Sequence, residues 1–333
     1  MEIVFLNRLH KDDGQEAEAF AQIWIGEQDG LWSTGWSEDT GEERNEIWYE
    51  GGNWSELLCI YRYQLAQKLS AGYRPLLEGV FHEHDDSSGR VKGIQQLYCY
   101  SELHSNEQLY AELVAWRRSR SARDQRAPYM IAGNRLLRLI SAFVPRTDSE
   151  LLELPGMGDS KLVTYGKEIL ELTARAEQPR SFPLDWVQEE LDPQLFVNWS
   201  YKQKELKYKL ELDQFNQRRC VLQGIADGQG LEKLGQSTGL PRRELLDLLE
   251  ELARDGCNLE PLIMQELTPM SEDEQHAVWS AYEELGDQYL KPVLHKVYGT
   301  EQHAEVRNSD RYERLRLIRI RYRRTDRPIV ACQ

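Results

Sequence analysis

LYAELVAWRRSRSARDQRAPYMIAGNRLLRLISAFVPRTDSELLELPGMGDSKLVTYGKEIL, residues 109–170, is the stretch that decides the fold of this 333-residue chain. Leu109, Leu113 and Trp116 recur at the spacing that places side chains on one face of a helix. Pro128 interrupts this helix, and Pro145 ends the apolar face that follows it. The pattern therefore predicts a bundle of short amphipathic helices.

The helices after Pro128 are defined by apolar residues and turn residues. The second apolar face comprises Ile131, Leu136, Leu137 and Ile140, and a short third helix carries Leu151, Leu152 and Leu154. Pro155-Gly156-Met157-Gly158 is a glycine-containing turn, and Leu162, Tyr165, Ile169 and Leu170 lie on the helix after it. These helices complete the predicted bundle.

This order of motifs resembles a known family. The motifs are Trp116-Arg117, Pro128-Tyr129-Met130-Ile131, Asn134, Pro145, Leu154-Pro155-Gly156-Met157-Gly158, Lys161 and Tyr165-Gly166. They are similar to those of the HRDC (helicase and RNase D C-terminal) domain, a small helical nucleic-acid-binding module, and they span residues 105–175. We therefore predict an HRDC-like helical domain over residues 103–176. The resemblance implies a role with nucleic acid and implies no enzymatic activity.

The composition sets limits on the rest of the chain. Its length leaves room for two or three domains, and 40% apolar residues with nine tryptophans can form buried cores. No apolar run approaches the roughly 20 residues of a membrane helix, and the N-terminus lacks the features of a signal peptide. We expect a cytoplasmic protein that does not interact with a membrane. Five cysteines without a CxxC pair predict reduced thiols and no structural zinc site.

The distribution of charge is more informative than the net charge of −15. Residues 1–102 contain 8 Lys and Arg against 19 Asp and Glu, whereas residues 103–176 contain 11 against 9. Seven arginines lie between Arg117 and Arg138, and nine lie between Arg307 and Arg327. Clustered bases favour contact with phosphates. The acidic remainder predicts weak binding that depends on salt.

The first 102 residues predict an acidic α+β domain of unknown role. Short aromatic runs separated by glycines predict strands at residues 1–6, 20–25, 31–36 and 46–49, and residues 54–70 show helical spacing. A last strand is predicted at residues 95–100. The tryptophan-bearing strands and Gly35-Trp36 are similar to WGR-type nucleic-acid-binding domains. A structural or protein-binding domain is the alternative interpretation.

A linker and a C-terminal domain are predicted after residue 176. Three prolines between residues 178 and 193 predict a linker over residues 177–198, and residues 199–333 predict a helical domain. Within it, residues 231–255 have the pattern of a helix-turn-helix, in which Pro241 opens the second helix. Arg242 and Arg243 stand at the start of that helix, where such motifs contact DNA. An ordinary helical hairpin is the alternative.

Further motifs of the C-terminal third, together with the helix-turn-helix, resemble another known family. Residues 267–271, the stretch 286–292 and the arginine-rich stretch 311–319 follow the helix-turn-helix. Together they resemble the RecQ C-terminal (RQC) winged helix, and in particular stand-alone RQC-minor DNA-binding proteins. The resemblance implies a winged-helix-like domain that binds DNA. The whole chain is therefore predicted to be multidomain and mainly α.

Motifs for catalysis are absent from the sequence. It contains no GxxxxGK[ST] phosphate loop and no Gly-x-Ser-x-Gly nucleophile turn, and the glycine-rich runs lack the lysine–hydroxyl pair that ATP binding needs. His82 and His84 could share one face of a strand and hold a metal ion, but a solvated loop is the favoured interpretation. We expect a non-catalytic protein with no metal and no cofactor.

Three groups of residues are predicted to bind nucleic acid. In the HRDC-like segment they are Arg117, Arg118, Arg120, Arg123, Arg126, Arg135, Arg138, Gly156, Gly158 and Lys161. Arg242 and Arg243 of the helix-turn-helix form the second group, and Arg316, Arg319, Arg321 and Arg323 form the third. The arginines would contact phosphates, and the two glycines would let backbone N–H groups do so unless they only close a structural turn.

Two local questions accompany this site. The alternation of residues 314–324 favours a strand with one basic face, with a helix as the alternative. Tyr129 and Tyr165 could stack on an unpaired base, although core packing is the favoured interpretation for both.

The functional hypothesis is a nucleic-acid-binding protein. It would bind structured or single-stranded DNA in repair, recombination or replication, and it could recruit a helicase or another DNA-repair protein. The alternatives are a protein–protein adaptor for a helicase or polymerase, and an accessory factor that binds RNA.

Overall fold

The computed structural model describes residues 1–11, 19–39, 43–77, 89–299 and 305–324. The chain divides into two compact units, Met1–Lys209 and Leu210–Gln333. The first contains a small antiparallel sheet and a helical bundle, and every described element of the second is a helix. A multidomain and mainly α architecture is confirmed. No helix in the described ranges is long and apolar enough to span a bilayer.

The N-terminal sheet has five antiparallel strands in the order β4-β3-β2-β1-β5. The strands are β1 (Glu2–Lys11), β2 (Ala19–Gln28), β3 (Leu31–Asp39), β4 (Glu43–Gly51) and β5 (Arg74–Pro75), and α1 (Trp54–Ser70) precedes β5. Asn53 caps the N-terminus of α1, because its side chain accepts a hydrogen bond from the Glu56 backbone N–H at 3.0 Å. The four strands and the helix predicted between residues 1 and 70 are confirmed.

The two faces of this sheet differ in what covers them. Ile23 and Trp36 are fully buried against Tyr61 and other apolar residues of α1. Because side chains alternate along a strand, their neighbours point to the other face. There Leu6 pairs with Trp24, Trp24 with Gly35, and Gly35 with Ile47, so these four residues form one row across four strands. Leu6 and Ile47 are 44% and 64% exposed.

Gly35 is required by the close approach of Trp24. A Cβ atom at Gly35 would lie 2.5 Å from the Glu46 carbonyl oxygen and 2.7 Å from the Trp24 ring. We expect Gly35→Ala to lower the free energy of unfolding by about 1–3 kcal/mol, since the backbone oxygen cannot move aside cheaply. Urea denaturation measures this loss. Gly52→Ala is the control because nothing lies within 4 Å of its Cβ position, and an equal loss in both variants would contradict the prediction.

The strand predicted at residues 95–100 is wrong. This segment belongs to α2 (Arg90–Leu103), which packs on the helical bundle. Tyr100 stacks on Phe143 with ring centroids 5.5 Å apart, and Cys99 is fully buried. Aromatic residues favour strands, but here burial against neighbouring helices decides the conformation. The prediction therefore placed this segment in the N-terminal domain, whereas its Tyr100 packs in the core of the helical bundle.

The helical bundle follows α2 closely. It comprises α3 (Glu107–Asp124), α4 (Pro128–Ile131), α5 (Asn134–Phe143), α6 (Asp148–Glu153), α7 (Asp159–Lys161), a π-helical turn (Leu162–Gly166) and α8 (Lys167–Thr173). Leu113, Leu137, Ile140 and Leu151 are fully buried, so the apolar faces predicted from the spacing are confirmed. Side chains of Asn106 and Thr147 accept hydrogen bonds from the first turns of α3 and α6.

Part of the predicted linker is packed structure. Leu184–Trp186 forms a single 3₁₀ turn, and α9 (Val187–Glu190) continues from it. Leu184 and Val187 are buried in the bundle core, and Trp186 contacts Tyr100 edge to face at 5.2 Å. Prolines mark irregular backbone, but apolar side chains between them can still be buried. The long helix α10 (Pro193–Ala226) follows.

The described residues of the second unit form six further helices. They are α11 (Leu231–Thr238), α12 (Arg242–Arg254), α13 (Glu260–Leu267), α14 (Glu272–Leu285), α15 (Leu290–Tyr298) and α16 (Glu305–Arg324). The predicted helix pair is confirmed as α11 and α12, with Gly239 in the left-handed region at φ +69° between them. A winged helix also needs a β-hairpin, and the described part of this unit has none.

Two predictions in this unit are wrong. The basic strand expected at residues 314–324 is part of helix α16; the alternative of a helix is correct. Leu315, Ile318 and Ile320 are all buried, because α16 packs against helices on several sides. Cys59, Cys99 and Cys220 are free thiols, but Cys257 is disulfide-bonded, so a reduced thiol was wrongly predicted at this residue.

Candidate nucleic-acid interface

The C-terminal half of α3 is held against α8 by hydrogen bonds to one carboxylate. Glu168 accepts from Trp116 Nε1 at 2.7 Å, from Arg120 Nη1 at 2.8 Å and from Arg123 Nη2 at 2.8 Å. Arg120 also pairs with Asp124 at 3.0 Å, and its side chain is only 18% exposed. Arg120 is therefore mainly a structural cation, whereas Arg123 is 62% exposed and keeps open solvent access.

Three arginines of α3 and the loop after it have no carboxylate partner in the described residues. Arg117 is half-buried, and its Nη1 donates to the Ala132 carbonyl oxygen at 2.7 Å. The Arg117 Nε atom is buried with no acceptor within the described residues. Arg118 and Arg126 are exposed, and no described residue hydrogen-bonds to either guanidinium. Their full positive charge is available to a ligand.

The two arginines of α5 contact neighbouring residues. Arg138 pairs with Glu107, donates to Ser105 at 3.0 Å and lies over the Tyr110 ring at 4.1 Å. Arg135 is exposed, and its guanidinium lies 5.1 Å from the centroid of the Tyr98 ring. Arg135 therefore remains accessible, whereas the charge of Arg138 is largely compensated.

The glycine turn before α7 has the geometry of a tight loop. Gly156 has φ +93°, a conformation that favours glycine, and its Cβ position lies 4.0 Å from Leu136 of α5. Gly158 precedes α7 and is exposed, with open space around it. Lys161 Nζ donates to the Gly156 carbonyl oxygen at 3.2 Å. Phosphate binding through this turn stays a prediction, as does a purely structural turn.

Exposed apolar residues accompany the basic ones. Tyr129 is 74% exposed, so its predicted core packing is wrong, whereas the core packing of Tyr165 is confirmed. Met130 and Val163 are 56% and 87% exposed and were missed. Val163 lies in the π-helical turn. The sequence signal for the exposure of Val163 was its position outside the helical spacing of the apolar residues.

The C-terminal arginines form an ion-pair network with α12 and α13. Glu250 accepts from Arg316 Nε and Arg319 Nη2, both at 2.7 Å, and the two arginine side chains are only 13% and 12% exposed. Burial raises the pKa of Glu250, but hydrogen bonds from both arginines lower it more, so the net pKa is lowered. The predicted basic stripe is therefore mostly engaged in internal packing.

The remaining C-terminal arginines and Arg242 of the helix pair also have acidic partners, whereas Arg243 does not within the described residues. Arg321 pairs with Glu260 at 2.9 Å, and Arg323 pairs with Asp287. Arg242 donates to both oxygens of Glu313, at 2.9 and 2.6 Å. Arg243 is exposed without an ion-pair partner in the described parts of the chain. Contact of the paired arginines with phosphate would require an existing ion pair to break.

The family comparison agrees with the geometry of the central bundle. The HRDC domain model matches residues 106–173. These residues are therefore an HRDC domain, as the motifs between Trp116 and Gly166 predicted. The match covers one segment of the chain, and it says nothing of the sheet or of the second unit.

Three curated relatives share a short segment with this chain. They are ATP-dependent DNA helicases UvrD2 from Mycobacterium bovis (strain ATCC BAA-935 / AF2122/97) and from two strains of Mycobacterium tuberculosis, CDC 1551 / Oshkosh and ATCC 25618 / H37Rv. Each is 35% identical over 68 residues, which are 20% of this chain. The matched segment covers only 10% of each helicase. No solved structure matches the chain significantly.

Proposed function

We propose that this protein binds DNA through its HRDC domain. The observation that carries the proposal is a pair of exposed guanidiniums, those of Arg118 and Arg126, which have no partner among the described residues, in a domain of a nucleic-acid-binding family. DNA is favoured over RNA because the relatives with the matching segment are DNA helicases. The protein would act without catalysis in repair, recombination or replication and could deliver a helicase to its substrate.

The surface chemistry supports single-stranded or forked DNA. Arg118, Arg123 and Arg126 can each contact a backbone phosphate, and such contacts position DNA without reading its sequence. The exposed ring of Tyr129 could stack on an unpaired base, a contact worth about 1–3 kcal/mol. With only a few phosphate contacts and a net charge of −15, binding should be weak and sensitive to salt.

Fluorescence polarization with the full chain tests this proposal. The probes are single-stranded, forked and duplex DNA of matched sequence, with the single-stranded RNA as a further arm. We expect binding at low salt, with log affinity falling by about 0.7 per phosphate contact for each tenfold rise in salt on single strands. Failure to bind every DNA probe at low salt would refute the proposal. Equal or tighter binding of the RNA would favour the RNA alternative.

A protein–protein adaptor is the second candidate function, and the open face of the N-terminal sheet favours it. The row of Leu6, Trp24, Gly35 and Ile47 is apolar, and exposed apolar clusters with few charges are typical of the centre of protein interfaces. A helicase or polymerase would be the partner. We expect Ile47→Lys to abolish co-purification of this partner after nuclease treatment, with Leu285→Lys, at another exposed apolar residue, as the control. Loss of the partner on nuclease treatment of the unmodified chain would refute direct protein binding.

A further inference from the structure

A cavity of about 520 Å³ in the second unit has an unusual set of charges. Its walls include the four arginines Arg254, Arg319, Arg323 and Arg324 and the two carboxylates of Glu250 and Asp287. Cavities of this volume are large enough for a small ligand. In a chain with a net charge of −15, an excess of cations around one cavity predicts an anionic ligand.

The two carboxylates are already used by arginines. Glu250 accepts hydrogen bonds from Arg316 and Arg319 through the same Oε1 atom, and Asp287 pairs with Arg323. Hydrogen bonding from Arg323 lowers the pKa of Asp287, and the pKa of Glu250 is also lowered. Both carboxylates are therefore ionised at neutral pH. The negative charge of each is already compensated by the arginines that it pairs with, so neither compensates a further arginine.

Arg254 and Arg324 have no carboxylate partner within the described residues. The Nε of Arg254 makes a long contact of 3.4 Å to the Glu250 carbonyl oxygen. The Nη1 of Arg324 donates to the amide oxygen of Asn258 at 3.1 Å. Both contacts are to neutral acceptors, so the two guanidiniums keep their full charge at the cavity.

Arg319 adds a largely buried cation to the same wall. Its side chain is 12% exposed, and its Nη2 and Nη1 are directed to Glu250 and to the Asp287 carbonyl oxygen. Its Nε–H is buried and has no acceptor in the part of the chain that the structure describes. Buried donors are normally paired, but this Nε exposes almost no surface, so Arg319 contributes its positive charge to the cavity and not a contact through this atom.

We propose that this cavity binds a phosphate monoester group. Guanidinium groups match the oxygens of phosphate with paired hydrogen bonds, and a monoester carries about −1.5 to −2 charges at pH 7. That charge balances the two arginines without carboxylates. The group can belong to a free nucleotide or to the end of a nucleic-acid strand. The proposal does not depend on DNA binding by the HRDC domain.

Isothermal titration calorimetry of the full chain at low salt tests the proposal. The probes are 5′-AMP, inorganic phosphate and adenosine, which lacks the phosphate. We expect 5′-AMP and phosphate to bind and adenosine not to bind. Arg254→Gln and Arg324→Gln should each weaken 5′-AMP binding about tenfold, the effect of losing one charge-assisted hydrogen bond. Arg175→Gln, an exposed arginine of the first unit, should leave binding unchanged.

Arg254→Gln and Arg324→Gln are expected to fold, so a loss of binding in either variant reports on the cavity. Neither Arg254 nor Arg324 supports a carboxylate, so both proteins should fold, which the circular dichroism spectrum checks. Absence of binding to 5′-AMP and phosphate in the unmodified chain, or unchanged binding in both variants, would overturn the proposal. Comparing oligonucleotides with and without a 5′-phosphate then identifies the source. If the two variants lose more affinity for the phosphorylated oligonucleotide than for the unphosphorylated one, the ligand is the end of a strand. If the variants change the affinity for neither oligonucleotide, the ligand is a free nucleotide.

Discussion

Replacing Arg118 and Arg126 together with glutamate is expected to weaken DNA binding about 100-fold. Each exposed guanidinium supplies one charge-assisted contact to phosphate, and losing each contact costs about 1.5 kcal/mol or more. The two acidic side chains add repulsion of the phosphates. Fluorescence polarization at low salt measures the loss, and the slope of log affinity against log salt should become shallower by about 1.4 on single strands.

A charge-matched variant separates a local contact from a general effect of charge. Arg175→Glu combined with Lys291→Glu changes the net charge by the same amount at exposed positions outside α3 and its loop. We expect a much smaller loss of affinity in this variant, because salt screens charges over about 10 Å. Equal losses in the two double variants would show that Arg118 and Arg126 form no specific patch. Unchanged melting temperatures would confirm that both variants remain folded.

Glu250→Ala is expected to have the largest effect on stability. The substitution leaves Arg316 and Arg319 without the carboxylate that both contact at 2.7 Å, in side chains that are 13% and 12% exposed. Breaking a fully buried ion pair costs about 3–5 kcal/mol, and we expect about 2–4 kcal/mol here because Glu250 is 18% exposed. Hydrogen exchange of the α12 and α16 amides measures this loss within the second unit.

The neighbouring residue provides the control, and pH provides a second test. Glu251 is exposed on the same helix, so Glu251→Ala should change the exchange rates little. The pKa of Glu250 is lowered in the folded state, so its contribution is complete above the ordinary glutamate pKa of about 4.3. The contribution is lost as pH falls through the lowered folded value. The difference between the unmodified chain and Glu250→Ala should therefore shrink in acid, and a constant difference would contradict this assignment.

Much of the fold follows from patterns that are local in the sequence. The period of Leu109, Leu113 and Trp116 predicted α3, and proline and glycine positions predicted the breaks after it. These signals work because a helix or a turn is determined by residues within a few positions of one another. The segment around Tyr100 was misassigned because its aromatic residues favour strands, whereas α2 is stabilised by contact with distant helices.

The candidate site shows the same limit more sharply. The sequence located the two clusters of arginines, between Arg117 and Arg138 and between Arg307 and Arg327, and their positive charge follows from residue type alone. It could not show that Arg316 and Arg319 share Glu250, because the partners are 66 and 69 residues apart. Nor could it show that Arg118 and Arg126 have no such partner in the described parts of the chain.

The amino-acid sequence alone determined the HRDC domain, the mainly helical character and the positions of the basic clusters, because periodicity, turn residues and charge are properties of neighbouring residues. Only the tertiary structure decided which basic side chains are neutralised and which remain available. An arginine binds phosphate or stabilises the fold according to the carboxylates that packing brings within about 4 Å of it, and those carboxylates come from distant parts of the chain.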